Sequence, residues 1–307
     1  MKEDKAPIVL FVYNRPWHTQ QTVEALQRNQ LASQSELFIY SDAPKNEETK
    51  PQVKQVRDYI KTVSGFKTVT IIERDKNWGL AENIIDGVTE IVNMYGRIIV
   101  LEDDLVTSPY FLNFMNDALS FYNNEDKVWH ISGWNYPIDS EGLDSTFLWH
   151  VMNCWGWATW RDRWRGFIKN PEQLIASWDK DKVYEFNLYG KQDFWSQVQA
   201  NSNGSLNTWA VFWYSSIFQN GGLCLNPVKT YVENIGLDGS GENCGNNNEL
   251  NSRLSDVICS DFESCLFENE NALAKVLQLL DELNSKSIRC FLSRASKGFK
   301  RVIKGLK

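Results

Sequence analysis

Three carboxylates in a row, Glu102-Asp103-Asp104, follow the apolar run Ile98-Ile99-Val100-Leu101. Adjacent carboxylates repel one another, so a fold that gathers them at the end of a buried strand offsets the repulsion with a bound cation or with hydrogen-bond donors. Hard oxygen ligands suit Mg2+ or Mn2+, and Mg2+ in particular is held by one or two carboxylates together with substrate phosphates. The triplet therefore implies a ligand that carries a diphosphate; as an isolated feature it would be a solvated acidic turn. Other polar residues also follow apolar runs: Tyr13-Asn14-Arg15-Pro16 after the first, Asp42 after the second, and Arg74, Asn77, Gly79 and Asn83 around the third. An aspartate can accept from a uracil N3–H or from ribose hydroxyls, and an arginine can meet a phosphate through two parallel bonds.

The elements that must position these residues alternate. Ile8–Tyr13, Leu37–Tyr40, Val69–Ile72 and Ile98–Leu101 are short continuous apolar runs that read as buried strands. Between them the spacing predicts helices near Thr19–Asn29, Val53–Val63 and Ala81–Met94, with a further one over Tyr110–Tyr122 starting from Ser108-Pro109. Such alternation indicates a mostly parallel sheet with helices on both faces, in which ligands sit at the carboxyl ends of the strands. All the polar groups above fall at those ends.

Past Tyr122 the composition changes. Eleven of the 13 tryptophans lie between Trp129 and Trp213. Flat indole faces stack on the C–H faces of sugars, which makes this half the expected saccharide-binding side, although most buried tryptophans are core. Asn153-Cys154-Trp155-Gly156-Trp157 is the expected saccharide-binding loop, with Trp155 and Trp157 as stacking faces and Gly156 permitting close backbone approach. Asp238–Asn251, rich in Gly and Asn, reads as a loop, and Leu273–Leu283 as a surface helix.

The chain has 307 residues, 42% of them hydrophobic and 23% charged, enough for a large buried core and incompatible with disorder. Its net charge of −7 argues against a nucleic-acid binder. The charge is uneven: residues 286–307 hold eight of the 32 basic residues and none of the 39 acidic ones. In that stretch Ile288, Phe291, Leu292, Ala295, Phe299, Val302, Ile303 and Leu306 recur at steps of three and four, the pattern of a basic amphipathic helix that lies in an anionic membrane interface. The longest apolar run, six residues, is far short of the roughly 20 needed to span a bilayer. Six cysteines without C-x-x-C pairs, behind an N-terminus without an apolar leader, read as reduced thiols in a cytosol.

With these residues in view, the sequence resembles sugar transferases of the GT-A nucleotide-diphospho-sugar fold, close to glycosyltransferase family 2 and to the eukaryotic N-acetylglucosaminyltransferase I family. The resemblance rests on Pro7 to Pro16 (PIVLFVYNRP), Asn77 to Asn83 (NWGLAEN), Val100 to Pro109 (VLEDDLVTSP), Gly156 to Trp160 (GWATW) and Asn234 to Gly241 (NIGLDGSG). It implies that Glu102-Asp103-Asp104 is the Asp-x-Asp-type motif, with Asp104 the direct ligand of Mn2+ or Mg2+ and Asp103 nearer the ribose or a metal-bound water. It further implies that the first three strand-end loops hold the nucleoside of the donor.

Two positions depart from that pattern. Relatives of this type often carry a His a few residues after Gly-Ser-Gly; here the stretch reads Gly241-Glu242-Asn243-Cys244, leaving Asn243 or Glu242 as the substitute metal ligand. Where a carboxylate is expected after Trp209 stands Ala210, so the general base is open among Asp193, Glu233 and Asp238.

The expectation is thus a GT-A domain with a nucleotide-sugar half over residues 1–125, an acceptor half over 126–265, and a basic helical tail over 266–307. Its function would be metal-dependent, inverting transfer of a sugar, with UDP-sugar as donor and a saccharide or lipid-linked saccharide as acceptor. The alternatives are a sugar nucleotidyltransferase, which lacks here its Gly-rich first loop, and a non-catalytic saccharide-binding protein. Gly239-Ser240-Gly241 breaks the dinucleotide fingerprint at Cys244, and Asp238–Glu249 lacks the turn glycine of a calcium loop.

Overall fold

The computed structural model describes residues 4–239, 250, 252–259 and 261–285. The order of elements in the first half is β1 (Ile8–Val12), α1 (Pro16–Gln27), β2 (Glu36–Ser41), α2 (Lys50–Ile60), β3 (Thr68–Glu73), α3 (Leu80–Tyr95), β4 (Arg97–Glu102), β5 (Leu105–Thr107) and α4 (Phe111–Phe121). The second half contributes β6 (Val128–Ser132), β7 (Thr146–Trp149), β8 (Trp157–Trp160), α5 (Arg161–Trp164), α6 (Pro171–Ser177), α7 (Lys180–Phe186), α8 (Trp195–Ser202), α9 (Ala210–Gln219), β9 (Leu223–Pro227) and β10 (Val232–Asn234).

Eight strands form one sheet in the order β3-β2-β1-β4-β8-β6-β9-β7. The first four are parallel; β8 is antiparallel to β4 and β6, β9 is parallel to β6, and β7 is antiparallel to β9. The architecture is the mostly parallel, helix-flanked α/β sheet expected from the alternation. All five residues of β1 are buried, as are the four inner residues of β4, because these strands have helices on both faces. The strand order reverses between β1 and β4, which makes that crevice the topological switch point of the sheet. Because β8 runs against β4, with Val100 opposite Trp157, the segment entering β8 lies at the same edge as the segment leaving β4.

The helix expected over Tyr110–Tyr122 is α4, with Tyr110 rather than Ser108-Pro109 at its N-cap; the Ser108 hydroxyl accepts the Tyr110 N–H at 3.2 Å. A helix through 270–285 packs Ala272, Val276 and Leu280 into the core, so it is a surface helix with one buried stripe. The basic amphipathic stretch of 286–307, like Asn243 and most of the Gly/Asn-rich loop, lies outside the described residues. No helix among the described residues is long and apolar enough to cross a membrane.

The tryptophan-rich half is chiefly core. Trp134, Trp149, Trp157, Trp160, Trp164, Trp178, Trp209 and Trp213 are buried, and only Trp129, Trp155 and Trp195 of the eleven are half-buried. Trp157 stacks on Trp209 at 5.2 Å and on His130 at 5.4 Å, and Trp164 meets Trp213 at 4.9 Å. His130 is enclosed in this cluster. Trp213 Nε1 donates to its Nδ1 at 3.2 Å and its Nε2 faces the Asn153 carbonyl at 3.0 Å, an arrangement that fits the neutral ring protonated on Nε2.

Burial pushes the His130 pKa down from 6.5 to about 3. The folded protein therefore refuses a proton that the unfolded chain accepts, so this ring's contribution is complete above pH 6.5 and is lost as the pH falls toward 3. The expected slope is up to about 1.4 kcal/mol per pH unit. Urea midpoints measured across that range fall more steeply for the wild type than for His130→Gln; equal slopes would refute the assignment.

Candidate functional site

The site is built at the switch point. β1 and β4 lie side by side with Phe11 opposite Glu102, so the residues leaving each strand meet. After β1 the chain passes Tyr13-Asn14-Arg15 and turns into α1, with Arg15 at the N-cap and Pro16 in the first turn. Arg15 Nη2 donates to Asp103 Oδ1 and, at 2.9 Å, to Asp104 Oδ2. The Tyr13 N–H points at Asp103 Oδ2 at 3.4 Å. Behind the acidic turn, Thr22 of α1 donates its hydroxyl to the Asp103 carbonyl at 2.9 Å and accepts the Leu105 N–H at 3.1 Å. The turn between β4 and β5 is thereby held from the helix side.

It is held from the other side by the segment after β10. β10 pairs antiparallel with β5, Asn234 opposite Leu105. The next residue, Ile235, donates its N–H to the Asp104 carbonyl at 2.9 Å, and Asn234 Oδ1 takes the Gly236 N–H at 2.7 Å. Gly236 is a glycine because of distance: a Cβ there would lie 2.1 Å from Asp104 Oδ2 and 3.0 Å from Arg15 Nη1. Two residues on, Asp238 Oδ2 sits 3.1 Å from His18 Nε2, on the first turn of α1. Neither Gly236 nor His18 stood out in the sequence as part of the site; the Asn-Ile-Gly motif was the signal for the first.

The acidic turn is poorly hydrated. Asp103 and Asp104 are 5% and 7% exposed. Burial, followed by Asp104 and Asp103 as neighbours, pushes the half-buried Glu102 up to about 8 against the opposing pull of Arg15. Asp103 is also raised, by burial first, with Arg15 opposing and Asp104 adding. Burial alone would favour neutral Arg15, but Asp103 and Asp104 outweigh it and hold the guanidinium charged.

The donor set suits Mn2+ or Mg2+. Glu102 and Asp104 Oδ1 have no partner among the described residues, leaving hard oxygens open. No group of three or more His, Cys, Asp or Glu forms a metal cage among those residues. One or two carboxylates completed by phosphates and water is the ordinary arrangement for such ions.

Several expected ligand contacts prove to be internal buckles. Asp42 is 4% exposed and accepts four bonds: from the N–H groups of Ala43, Trp78 and Gly79 at 2.8, 2.9 and 2.9 Å, and from Asn77 Nδ2 at 3.1 Å. A carboxylate offers about four lone-pair sites, and these four bonds fill them, so that Asp42 clasps the loop after β3 to the end of β2. Asn77 also donates to the Ala43 carbonyl at 2.7 Å. Arg74, expected to meet a phosphate, is engaged as a strut between elements. Its Nε donates to Asn83 Oδ1 at 2.9 Å, its Nη2 to Asp86 at 2.6 Å, and its guanidinium lies 4.1 Å over Trp78 and 4.9 Å over Tyr40. Asn83 is 4% exposed and spent on Arg74. Tyr13 and Asn14 remain half-buried at the crevice, and Asn14 has no partner among the described residues.

On the acceptor side, Trp157 is corrected to a core residue of β8, 1% exposed. Gly156 has φ +64 and admits the side chains of Val232 and Phe111, 2.9 and 3.2 Å from where its Cβ would be, rather than a ligand. Trp155 remains half-buried, edge-on to Trp134 at 4.6 Å. Of the three carboxylates considered as base, Asp193 lies just before α8 and accepts the Ser196 N–H at 3.1 Å. Glu233 stands in β10 opposite Val106, alternating with the buried Val232 and Asn234. Asp238 is the one that the structure brings beside Arg15's helix, its side chain 49% exposed.

Gly236→Ala is expected to leave the fold intact, since only side chains are displaced, while driving Asp104 and Arg15 out of register. A crystal structure of the variant should show the Asp104 carboxylate and the Arg15 guanidinium moved away from residue 236, with the backbone of β5 and β10 unchanged; both side chains in their wild-type positions would refute the close-approach argument.

The crystal structure of S. aureus TarS superposes with a TM-score of 0.32 and 11% identity over 47% of this chain and 24% of that one. The structure of S. aureus TarS 1–349 gives 0.41 and 9%, covering 74% and 59%. The mannosyltransferase PcManGT from Pyrobaculum calidifontis, in complex with GDP-Man and Mn2+, gives 0.37 and 10%, covering 71% and 69%. The chain thus spans about a quarter of TarS and 59% of its 1–349 segment. No curated protein matches it by sequence. Residues 1–181, which carry β1, Arg15, the Asp42 clasp, the acidic turn and β8, match the model of the GNT-I family, and the chain belongs to that family.

Proposed function

We propose that the protein is a metal-dependent glycosyltransferase, a hexosyl- or N-acetylhexosaminyltransferase, that moves a sugar from a nucleotide diphosphate to a saccharide or lipid-linked saccharide, with inversion, in the synthesis of a cell-surface polysaccharide. The observation that carries this reading is the acidic turn at the switch point, where Arg15, Asp103 and Asp104 meet. UDP-sugar is the proposed donor, with Tyr13 and Asn14 lining the crevice on the nucleoside side.

Mn2+ or Mg2+ would be held by Asp104 with Glu102, and would supply charge stabilisation to the departing nucleoside diphosphate. Arg15 adds a second positive charge at the same phosphates. Asp103 is turned toward Tyr13 N–H, on the ribose side. Asp238 is the proposed base: exposed, and oriented by His18, it takes the acceptor hydroxyl proton as the new C1–O bond forms and the C1–O bond to phosphate breaks. Trp155 is the proposed stacking face for the acceptor. The basic stretch of 286–307 would hold the enzyme at the inner face of the cytoplasmic membrane, next to a lipid-linked acceptor.

The test is calorimetric titration with UDP, GDP, CMP and dTDP, each with Mn2+ and with EDTA. Micromolar, metal-dependent binding of UDP is expected, and Asp104→Ala should abolish it while melting like the wild type. Failure of all four nucleotides on folded protein would replace the enzyme reading with the non-catalytic saccharide-binding one, which Ala210 favours. Asp238→Asn should retain nucleotide binding and lose transfer by about 10²- to 10⁴-fold; full activity in that variant would remove Asp238 from the mechanism.

A further inference from the structure

Arg15 stands where a cation is needed. Two adjacent aspartates, both nearly excluded from water, share a single guanidinium nitrogen, and no other basic side chain pairs with either of them among the described residues. The same group has an unmet need of its own. Arg15 Nη1 is buried without a hydrogen-bond partner among the described residues, facing the space that Gly236 leaves open. A buried donor without a partner costs free energy that an anionic oxygen would recover.

We propose that Arg15 is the resident counter-ion of the acidic turn, and that it opposes divalent-metal binding until a diphosphate takes up the guanidinium. The inference rests on the reading of this site as one for a metal and a nucleoside diphosphate, and adds the order in which they bind. A dication on Asp104 would face a guanidinium 2.9 Å from the same carboxylate, and like charges at that range in a poorly hydrated turn repel strongly. While Arg15 keeps both aspartates, the turn is already partly neutralised and has little affinity for metal. A diphosphate changes the balance, because it offers Nη1 and Nη2 charged oxygens in bidentate geometry and brings further ligands to the metal. Metal and nucleotide then bind together, each weakly alone. The positive linkage is reciprocal: the factor by which UDP tightens Mn2+ equals that by which Mn2+ tightens UDP.

The experiment measures Mn2+ binding without nucleotide, from the electron paramagnetic resonance signal of free Mn2+, in the wild type, Arg15→Gln and Arg15→Lys. Arg15→Gln should bind Mn2+ at least about tenfold more tightly than the wild type, while Arg15→Lys, which keeps the charge, stays near the wild-type affinity. Adding UDP should tighten Mn2+ binding in the wild type by a larger factor than in Arg15→Gln. The proposal is overturned if folded Arg15→Gln binds Mn2+ no more tightly than the wild type, or if Arg15→Lys behaves like Arg15→Gln. Should Arg15→Gln unfold in EDTA, recovery of the fold on adding Mn2+ supports the proposal, and failure to recover overturns it. Absence of any UDP effect in the wild type would instead refute the donor reading, leaving the nucleotide-free comparison of variants to decide the counter-ion role.

Discussion

A guanidinium shared between two neighbouring carboxylates is the contact on which this molecule's site depends. Asp103 and Asp104 are almost wholly out of water, where an unpaired charge is costly and two unpaired like charges more so. Arg15 answers that cost, and the surrounding backbone is arranged to let it. α1 begins at the point that throws Arg15 across the switch point, Thr22 fastens the acidic turn to the same helix, and the strand pair β5–β10 brings the glycine that leaves room for both side chains. Sheet topology, helix start and loop composition thus converge on a few oxygens.

The loops after β2 and β3 are organised by a different device. Asp42 collects three backbone N–H groups and one amide, which fixes the loop after β3 against the end of β2. Arg74, sandwiched between Trp78 and Tyr40 and tied to Asn83 and Asp86, braces the same loop from beneath. Polar residues that look available in a sequence are here spent on rigidity, and rigidity is what a crevice needs if binding is not to be weakened by the entropy of ordering its walls. The groups left facing the crevice are Tyr13, Asn14 and the acidic turn.

The aromatic half makes the same point with apolar chemistry. Eight of its tryptophans are buried in the core, and four of them, Trp157, Trp164, Trp209 and Trp213, meet ring to ring, with His130 stacked on Trp157 as a neutral hydrogen-bonded member. Large indoles fill volume and supply one directional bond each, which suits the interior of a mixed sheet as well as it suits a sugar face. Trp155, at the edge where the chain enters β8, keeps a partly open face.

The sequence by itself determined the four parallel strands of the first half, their helices and the placing of the acidic turn at a strand end, because unbroken β-branched runs between helical periods have few other solutions. It also pointed to a cation or donor meeting Glu102-Asp103-Asp104, since adjacent carboxylates at the end of a buried strand, away from water, need their repulsion offset. It did not reveal β6 to β10, whose short aromatic segments carry no clean period and pair only once the sheet exists. Nor did it distinguish a buried carboxylate that clasps neighbouring loops from an exposed one beside α1: Asp42 and Asp238 look alike in sequence. Only the tertiary structure gave Asp42 three donors from the loop after β3, beside the local one from Ala43, and set Asp238 against His18, because hydrogen-bond partners 35 to 220 residues apart are chosen by the packing of elements and not by local spacing.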